Sequence, residues 1–396
     1  MNEIRYQTED GKLVFFLCGP IDAVNAPVIE AKISKICADH PEEAGSITLD
    51  FEKLEYISSA GLRMVNRLKQ KNDDTKIINA SLEIYNILDM TGFTDMMHVE
   101  KAYRVISVEG CEVIGQGANG KVYRIDRETI LKAYMNQDSL EEIDRERMLA
   151  RTAFAAGIPT AIPYDVVRIE GGGYGAVYEL LDAETFARLL SKKEKSIDEL
   201  AKLNIDLLKL IHSKTARRDT IPDMKEKAIG WLDDVKDYLP DKHFSKLNAL
   251  FSDMPADMHL VHGDFHIKNV MMQNDEVLLI DMDTLSHGLP VFDLASMYTA
   301  YVGLGDLDRS VVENFLGISY DETVLFWNKC LPLYLGTEDK DRLKEAEEQV
   351  KLVSYTRIMR REIRHHGINS REGWAMVEHC RDELNELLPK VKTLLL

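Results

Sequence analysis

Along the first hundred residues, short apolar runs alternate with segments whose apolar positions recur every three or four residues. Leu13-Val14-Phe15-Phe16-Leu17-Cys18 is a continuous apolar run closed by Gly19-Pro20, the pattern of a buried strand ending in a turn. Between Ala23 and Ala38, the positions Val28, Ile29, Ile33 and Ile36 recur at helical spacing. Ile47-Thr48-Leu49-Asp50-Phe51 again reads as a strand. Ser59 to Lys71 places Leu62, Val65 and Leu68 on one helical face, and Thr75 to Asn79 gives a further strand. Leu82, Ile84, Ile87, Leu88 and Met90 define another helix, which stops at Gly92. This β-α-β-α-β-α order predicts an α/β layer in which helices pack on a small sheet.

A different pattern begins near Val105. Strand-like Cys111 to Ile114 runs into a glycine-rich turn, and from there to about Leu181 the chain reads as strands plus one long helix, Ser139 to Ala156. Beyond Leu181 it becomes mainly helical, broken by a loop-and-strand stretch around His262 to Asp281. The junction Val105 to Gly110 is short and not rich in proline, glycine or serine. The expected organisation is therefore a first domain over 1–104, a strand-rich lobe over 105–181 and a helical lobe over 182–396.

Composition narrows the class of protein. The 396 residues suffice for two or three domains, and 49 basic against 67 acidic side chains leave a formal charge of −18. Such an acidic balance disfavours a nucleic-acid-binding surface, which needs cations to displace counterions from phosphates. A hydrophobic fraction of 45% supports packed cores rather than a disordered chain. No window approaches the ~18 consecutive apolar residues of a membrane-spanning helix, and the first ten residues lack the apolar core of a signal peptide. Cys18, Cys37, Cys111, Cys330 and Cys380 are scattered without CxxC or zinc spacing, as reduced thiols would be. The expectation is a cytoplasmic chain without membrane or nucleic-acid partners.

In the first domain the informative stretch is Tyr56-Ile57-Ser58-Ser59-Ala60-Gly61-Leu62, where a loop after a strand opens a helix with small residues. A hydroxyl there can cap orphan backbone N–H groups, and a phosphate would sit at the positive end of the helix. In element order and in this stretch, residues 1 to about 104 resemble the STAS domain of anti-sigma factor antagonists. The resemblance implies that the helix-start serine is phosphorylated by a partner kinase, and that phosphorylation abolishes binding to an anti-sigma factor. Aligned on Gly61-Leu62, the modified serine maps to Ser59 in preference to Ser58. An anti-sigma factor or a serine kinase is then an expected partner.

The second domain opens with Gly115-Gln116-Gly117-Ala118-Asn119-Gly120-Lys121-Val122, a GxGxxGxV pattern. Alternating Val122-Tyr123-Arg124-Ile125 follows, whereas a dinucleotide fold needs a helix there. A strand–turn–strand hairpin lets backbone N–H groups approach phosphates closely. Gly115, Gly117 and Gly120 are therefore candidate nucleotide-binding positions. Ile130-Leu131-Lys132-Ala133-Tyr134 puts a lysine inside a strand, where an anion such as a nucleotide phosphate would offset its burial. Glu142 and Glu146 of the following helix are counter-charge candidates, and Glu146 is chosen because it lies nearer the helix middle.

The strongest signal is His262-Gly263-Asp264-Phe265-His266-Ile267-Lys268-Asn269, followed by Val277-Leu278-Leu279-Ile280-Asp281. In this HxDxxxxN loop Asp264 can accept or orient the proton of an attacking hydroxyl, and Asn269 and Asp281 offer the hard oxygens that Mg²⁺ prefers. Residues from about 108 to 396 therefore resemble the aminoglycoside/choline phosphotransferase branch of the protein-kinase-like fold. His-Gly-Asp, Asp281-Met282-Asp283 and Phe292-Asp293-Leu294-Ala295 carry the likeness. It implies a bilobal α+β domain using ATP and Mg²⁺, with Asp264 as base, Asn269 and Asp281 as metal ligands and Lys132 as phosphate anchor. It also implies an adenine-binding hinge near Glu179 to Leu181, and a structural role for Asp293.

Two features stay ambiguous in the sequence. Arg357, Arg360, Arg361, Arg364, His365 and His366 form a basic segment that reads as a solvated or internally paired face, or as a substrate clamp. The sixteen methionines read as core filler. The expected function is ATP- and Mg²⁺-dependent transfer of the γ-phosphoryl group to a hydroxyl on a small molecule or protein, with the STAS domain regulating or recruiting. The alternative is a non-catalytic nucleotide sensor in a partner-switching pathway.

Overall fold

The computed structural model describes residues 4–396 apart from 10, 73, 117–119, 135–139, 216–220 and 366. The chain divides into two compact units, Met1–Ser107 and Val108–Leu396. Among the described residues no helix is long and apolar enough to cross a membrane.

The first unit is built on one sheet of β1 (Arg5–Glu9), β2 (Lys12–Ile21), β3 (Ser46–Ile57), β4 (Asp74–Ala80) and β5 (Val99–Lys101), in that spatial order. β1 is antiparallel to β2, while β2, β3, β4 and β5 run parallel. The connections carry helices α1 (Ala26–Asp39), α2 (Ser59–Lys71), α3 (Leu82–Met90) and the single turn α4 (Phe93–Met96). Their apolar faces close over Phe15, Leu49, Phe51 and Ile77, all fully buried. A short strand β6 (Arg104–Ile106) ends the unit.

The predicted α/β order is present, with informative differences. β3 runs six residues past Phe51 to Ile57, because Leu54 and Ile57 still bury beside exposed Glu52, Lys53 and Glu55. β1 is exposed along its length and carries no apolar signal, so only pairing reveals it. In α1, Ala26, Ile29 and Ile33 face the core and Val28 is exposed, since neighbouring helical positions are ~100° apart. Leu82 and Met90, at the two ends of α3, are exposed for the same reason, while Ile84 and Leu88 are buried.

The serine pair is resolved by helix-cap geometry. Ser58 is the N-cap of α2 in extended conformation, and its Oγ accepts a hydrogen bond from the Gly61 N–H at 3.3 Å. Ser59 is the first helical residue and is exposed, its Oγ accepting from Arg63 at 3.5 Å. A Cβ on Gly61 would lie 2.7 Å from Ile57 and 2.8 Å from Ile21, so close packing of α2 on the sheet accounts for that glycine.

The second unit begins with β7 (Glu112–Gln116), β8 (Gly120–Arg124), β9 (Thr129–Tyr134), helix α5 (Leu140–Ala155), β10 (Pro163–Ile169) and β11 (Tyr174–Glu179). Within their sheet the neighbours are β10-β11-β9-β8-β7, each pair antiparallel. The remainder is mainly helical: β12 (Glu184–Thr185), α6 (Phe186–Ser191), α7 (Ile197–His212), α8 (Met224–Val235), α9 (Asp241–Ser252), β13 (Leu260–Val261), β14 (Val270–Gln273), β15 (Glu276–Leu279), β16 (Ser286–His287), α10 (Val291–Tyr301), α11 (Arg309–Leu316), α12 (Tyr320–Leu335), α13 (Lys340–Arg364) and α14 (Arg371–Leu387). Every residue of α10 is buried, as expected of a helix that is apolar nearly all round. β14 and β15 form a hairpin turned by Asn274 and Asp275, both with positive φ.

The cap assignment predicts unequal roles for the two serines. Ser58→Ala should destabilise the first unit by about 0.5–2 kcal/mol through loss of the cap. Ser59→Ala should stay within about 0.5 kcal/mol of wild type, as exposed positions do. Urea unfolding of the full chain checks this, and equal losses would reverse the assignment.

Candidate active site

The site is assembled around a lysine that its strand turns inward. Lys132 lies in β9 between Val122 of β8 and Ala176 of β11, so its side chain leaves the sheet on one face with that of Tyr134. Helix α5 packs Ile143, Glu146, Leu149, Ala150 and Ala153 inward, which brings a carboxylate to the same place. Lys132 Nζ donates to Glu146 Oε1 at 2.7 Å and to Asp281 Oδ1 at 3.3 Å. Glu146 is 6% exposed and also accepts from the Tyr134 hydroxyl and, at 3.3 Å, from the Tyr178 hydroxyl. Glu142 is exposed, so of the two glutamates Glu146 is the lysine's partner. Burial works against the ammonium, yet the carboxylates of Asp281 and Glu146 hold the Lys132 pKa above its ordinary value.

The loop from His262 to Asn269 is fixed from beneath by a buried carboxylate. Asp293, in the first turn of α10, is fully buried and accepts from the backbone N–H of His262 at 2.8 Å and of Gly263 at 2.6 Å. His212 Nε2 lies 3.0 Å from Asp293 Oδ2. Burial alone would raise the Asp293 pKa, but the His212 hydrogen bond and charge bring it below the usual carboxylate value. Gly263 has φ +83, and a Cβ there would lie 2.8 Å from the Thr284 carbonyl, so glycine is required. Asp293 thus braces the loop through its backbone.

Asp264 stands on this braced loop with three polar neighbours. Arg357 of α13 forks onto it, Nη2 donating to Asp264 Oδ1 at 2.8 Å and Nη1 to the Gly263 carbonyl at 2.7 Å. Ser296 donates to Oδ1 at 3.4 Å, and His266 Nε2 lies 3.4 Å from Oδ2. Burial opposes ionisation of Asp264, but the His266 hydrogen bond and the Arg357 charge outweigh it and hold the carboxyl well below its usual range. Asn269 is buried, its Nδ2 donating to the Asp264 carbonyl at 3.0 Å, which leaves its Oδ1 for another partner.

Asp281 follows β15 in a left-handed conformation, φ 66 and ψ 67, an uncommon one for a residue with a Cβ. Ile280 is tied by its N–H to the Asn269 carbonyl at 2.9 Å, which draws the two candidate ligand segments together. Asp283, two residues on, has its pKa pushed up to about 7 by burial and by the charges of Asp281 and Glu146. A divalent cation suits such a place, and Asn269 and Asp281 supply the oxygen donors that Mg²⁺ takes alongside phosphate oxygens. Among the described residues no cluster of three or more His, Cys, Asp or Glu forms a metal cage.

In the glycine-rich segment β7 and β8 run antiparallel, with Gly115 paired to Val122 and β8 starting at Gly120. A Cβ on Gly120 would lie 2.0 Å from the Ala133 carbonyl, so this glycine lets β8 lie against the strand that carries Lys132. Gly117 lies outside the described residues. Glu179 ends β11, and its carboxylate accepts from the Ile162 N–H at 3.4 Å; Leu181 follows in irregular chain and is half-buried. His366 also lies outside the described residues.

Direct contacts thus join Lys132, Glu146 and Asp281, and join Asp264 to Asn269. Sequence reasoning missed the hydroxyls of Tyr134 and Tyr178, although Tyr134 lies two positions from Lys132 on the same strand face. It also left Arg357 ambiguous, since no spacing rule ties a helix residue to a loop 93 positions earlier.

Comparison with known proteins yields two family matches. The model described as "Phosphotransferase enzyme family" matches residues 110–322. The STAS domain model matches residues 3–105. A Bordetella bronchiseptica protein named as an anti-sigma factor antagonist, BtrV, is 29% identical over 94 residues, covering 23% of this chain and 78% of that protein. Among solved structures, ADP-bound aminoglycoside phosphotransferase APH(2'')-Ib is similar with 18% identity and a TM-score of 0.47, over 80% of this chain and 99% of that one. A choline/ethanolamine kinase family protein from Mesorhizobium loti has 14% identity and a TM-score of 0.46, over 70% and 87%.

The Lys132–Glu146 pair predicts strong coupling. Lys132→Ala and Glu146→Gln should each weaken nucleotide binding, and the double variant should lose little more than the worse single one. The expected coupling is about 1–3 kcal/mol in a double-mutant cycle read by calorimetric titration with ATP. Additive losses would show that the pair does not act as a unit.

Proposed function

We propose, for a chain that belongs to the phosphotransferase enzyme family, that its second unit transfers the γ-phosphoryl group of ATP to an acceptor hydroxyl in the presence of Mg²⁺. The single observation that carries this reading is the meeting of Lys132, Glu146 and Asp281, which lie in β9, in α5 and after β15. A lysine held between two carboxylates is pre-positioned to meet phosphate oxygens. The glycine hairpin beside it offers backbone N–H groups for the same anion.

The roles follow from chemistry and place. Lys132 anchors the nucleotide phosphates, and Glu146 fixes the lysine's direction. Asn269 and Asp281 would hold the metal, which when bound supplies positive charge against the phosphates. Gly115 and Gly120 flank the phosphate-binding segment, and the segment from Glu179 to Leu181 receives the adenine. Asp264 meets the acceptor hydroxyl and takes its proton as the oxygen attacks. The Asp293 bonds to the His262 and Gly263 N–H groups keep Asp264 at a fixed height in the site.

The STAS domain is the regulatory part of this reading. Ser59 is exposed at the start of α2, while Ser58 already serves as the cap. A phosphate on Ser59 would gain from the helix N-terminus and from Arg63 one turn on, and would change partner binding without unfolding the cap. An anti-sigma factor and a serine kinase are the partner types proposed.

Asp264→Asn tests the catalytic assignment. It should lower transfer by about 10²–10⁴-fold, the usual range for general acid–base groups, and leave ATP affinity within about threefold of wild type. Acceptor phosphorylation with radiolabelled ATP gives the first quantity and calorimetry the second. Transfer at the wild-type rate would remove Asp264 from the mechanism.

A further inference from the structure

Helix α13 carries arginine at 357, 360 and 364, a spacing that puts all three on one face. Arg357 holds Asp264 through its fork. Arg360 bonds Asp234 of α8 at 3.1 Å, and Arg364 is exposed in the next turn. At Arg360, burial and then the charges of Arg364 and Arg357 push the pKa below its ordinary value, against the opposing pull of Asp234. Among the described residues the carboxylates bonded to the three arginines are two, Asp234 and Asp264, and Asp264 is wanted for chemistry. In a chain of formal charge −18, this positive stripe leads directly to the group that meets the acceptor. All three arginines also lie beyond residue 322, where the family match ends.

A guanidinium fork fits phosphate and carboxylate geometry, and a stripe of them repels a cationic acceptor. We propose that the acceptor is an anionic alcohol, a small hydroxyl compound bearing a phosphate or carboxylate group that Arg357, Arg360 and Arg364 hold while its hydroxyl meets Asp264. This rests on the phosphotransferase reading above and names its substrate class. Arg357 keeps its fork on Asp264 and Gly263 and offers its remaining N–H groups to the anion. In the transfer, the acceptor O–H bond breaks and its proton passes to the Asp264 carboxylate. The acceptor oxygen forms the new bond to the γ-phosphorus of ATP. The bond from that phosphorus to the β–γ bridging oxygen breaks, its electron pair leaving with ADP, and the Asp264 proton is released to solvent.

Two readouts on the full chain separate the anion site from the reading it rests on. The first is calorimetric titration with inorganic phosphate in the presence of excess ADP and Mg²⁺. Wild type should bind phosphate at millimolar concentration or below. Arg364→Gln, which alters an exposed residue, and Arg357→Lys should each weaken binding by about tenfold, the range of a lost charge-assisted hydrogen bond. Lys242→Ala, at an exposed lysine of α9, should leave it within about threefold. Absence of binding, or no loss in Arg364→Gln and Arg357→Lys, overturns the proposal. The second readout compares phosphoryl transfer to glycerol 3-phosphate, glycerate, glycerol and kanamycin. Glycerol 3-phosphate or glycerate should be favoured by about tenfold or more, and which of the two leads identifies phosphate or carboxylate as the bound group. Arg364→Gln should raise KM for the anionic acceptor and not for ATP. Preference for glycerol or kanamycin overturns the proposal. Arginine-dependent phosphate binding with no transfer to any of the four supports the anion site and counts against hydroxyl transfer.

Discussion

Crowded negative charge is the constraint on which the second unit depends. Burial, and then the charges of Asp281 and Glu146, push Asp283 up to about 7, even with Lys132 bonded to both of those carboxylates. Folding a chain this way costs desolvation and like-charge repulsion, and such groups persist where a bound partner relieves them. In the proposed function that partner is a nucleotide phosphate with its divalent metal. The rest of the unit serves to hold this arrangement still. The Tyr134 and Tyr178 hydroxyls fix Glu146, Gly120 lets β8 lie flat against β9, and the β14–β15 hairpin delivers Asp281.

A second support lies under the acceptor side. Asp293 is a charge with no solvent exposure, and it is tolerated because two backbone N–H groups and His212 satisfy it. Its bonds reach the two residues that precede Asp264. The height of Asp264 is thus set by the fully buried helix α10, and its sideways position is set by Arg357 from α13. Anchoring one carboxylate from two helices leaves it little freedom to rotate, which is the kind of pre-organisation that makes proton transfer efficient.

Much of this is legible in the sequence. Asp264, Asn269 and Asp281 sit in a loop whose spacing is short-range, and their chemistry follows from residue type. Glu146 was legible because the helix period separates buried 143, 146, 149 and 150 from exposed 142. Arg357 was not, because its partner lies 93 residues away and only tertiary packing joins them. In the first unit, β1 is not legible because it is an exposed edge strand whose residues are polar apart from Tyr6. The split between Ser58 and Ser59 also needed structure: both are small hydroxyls at a helix start, and only the bond from the Gly61 N–H tells cap from free group.

The metal dependence of nucleotide affinity tests the central claim most directly, since relief of the carboxylate crowding is what the site is argued to require. Calorimetric titration of the full chain with ATP, with Mg²⁺ and then with the metal chelated, should show affinity at least about tenfold tighter with metal. That gain should disappear in Asp281→Ala. Equal ATP affinity with and without the metal, or a metal effect that survives Asp281→Ala, would contradict the account.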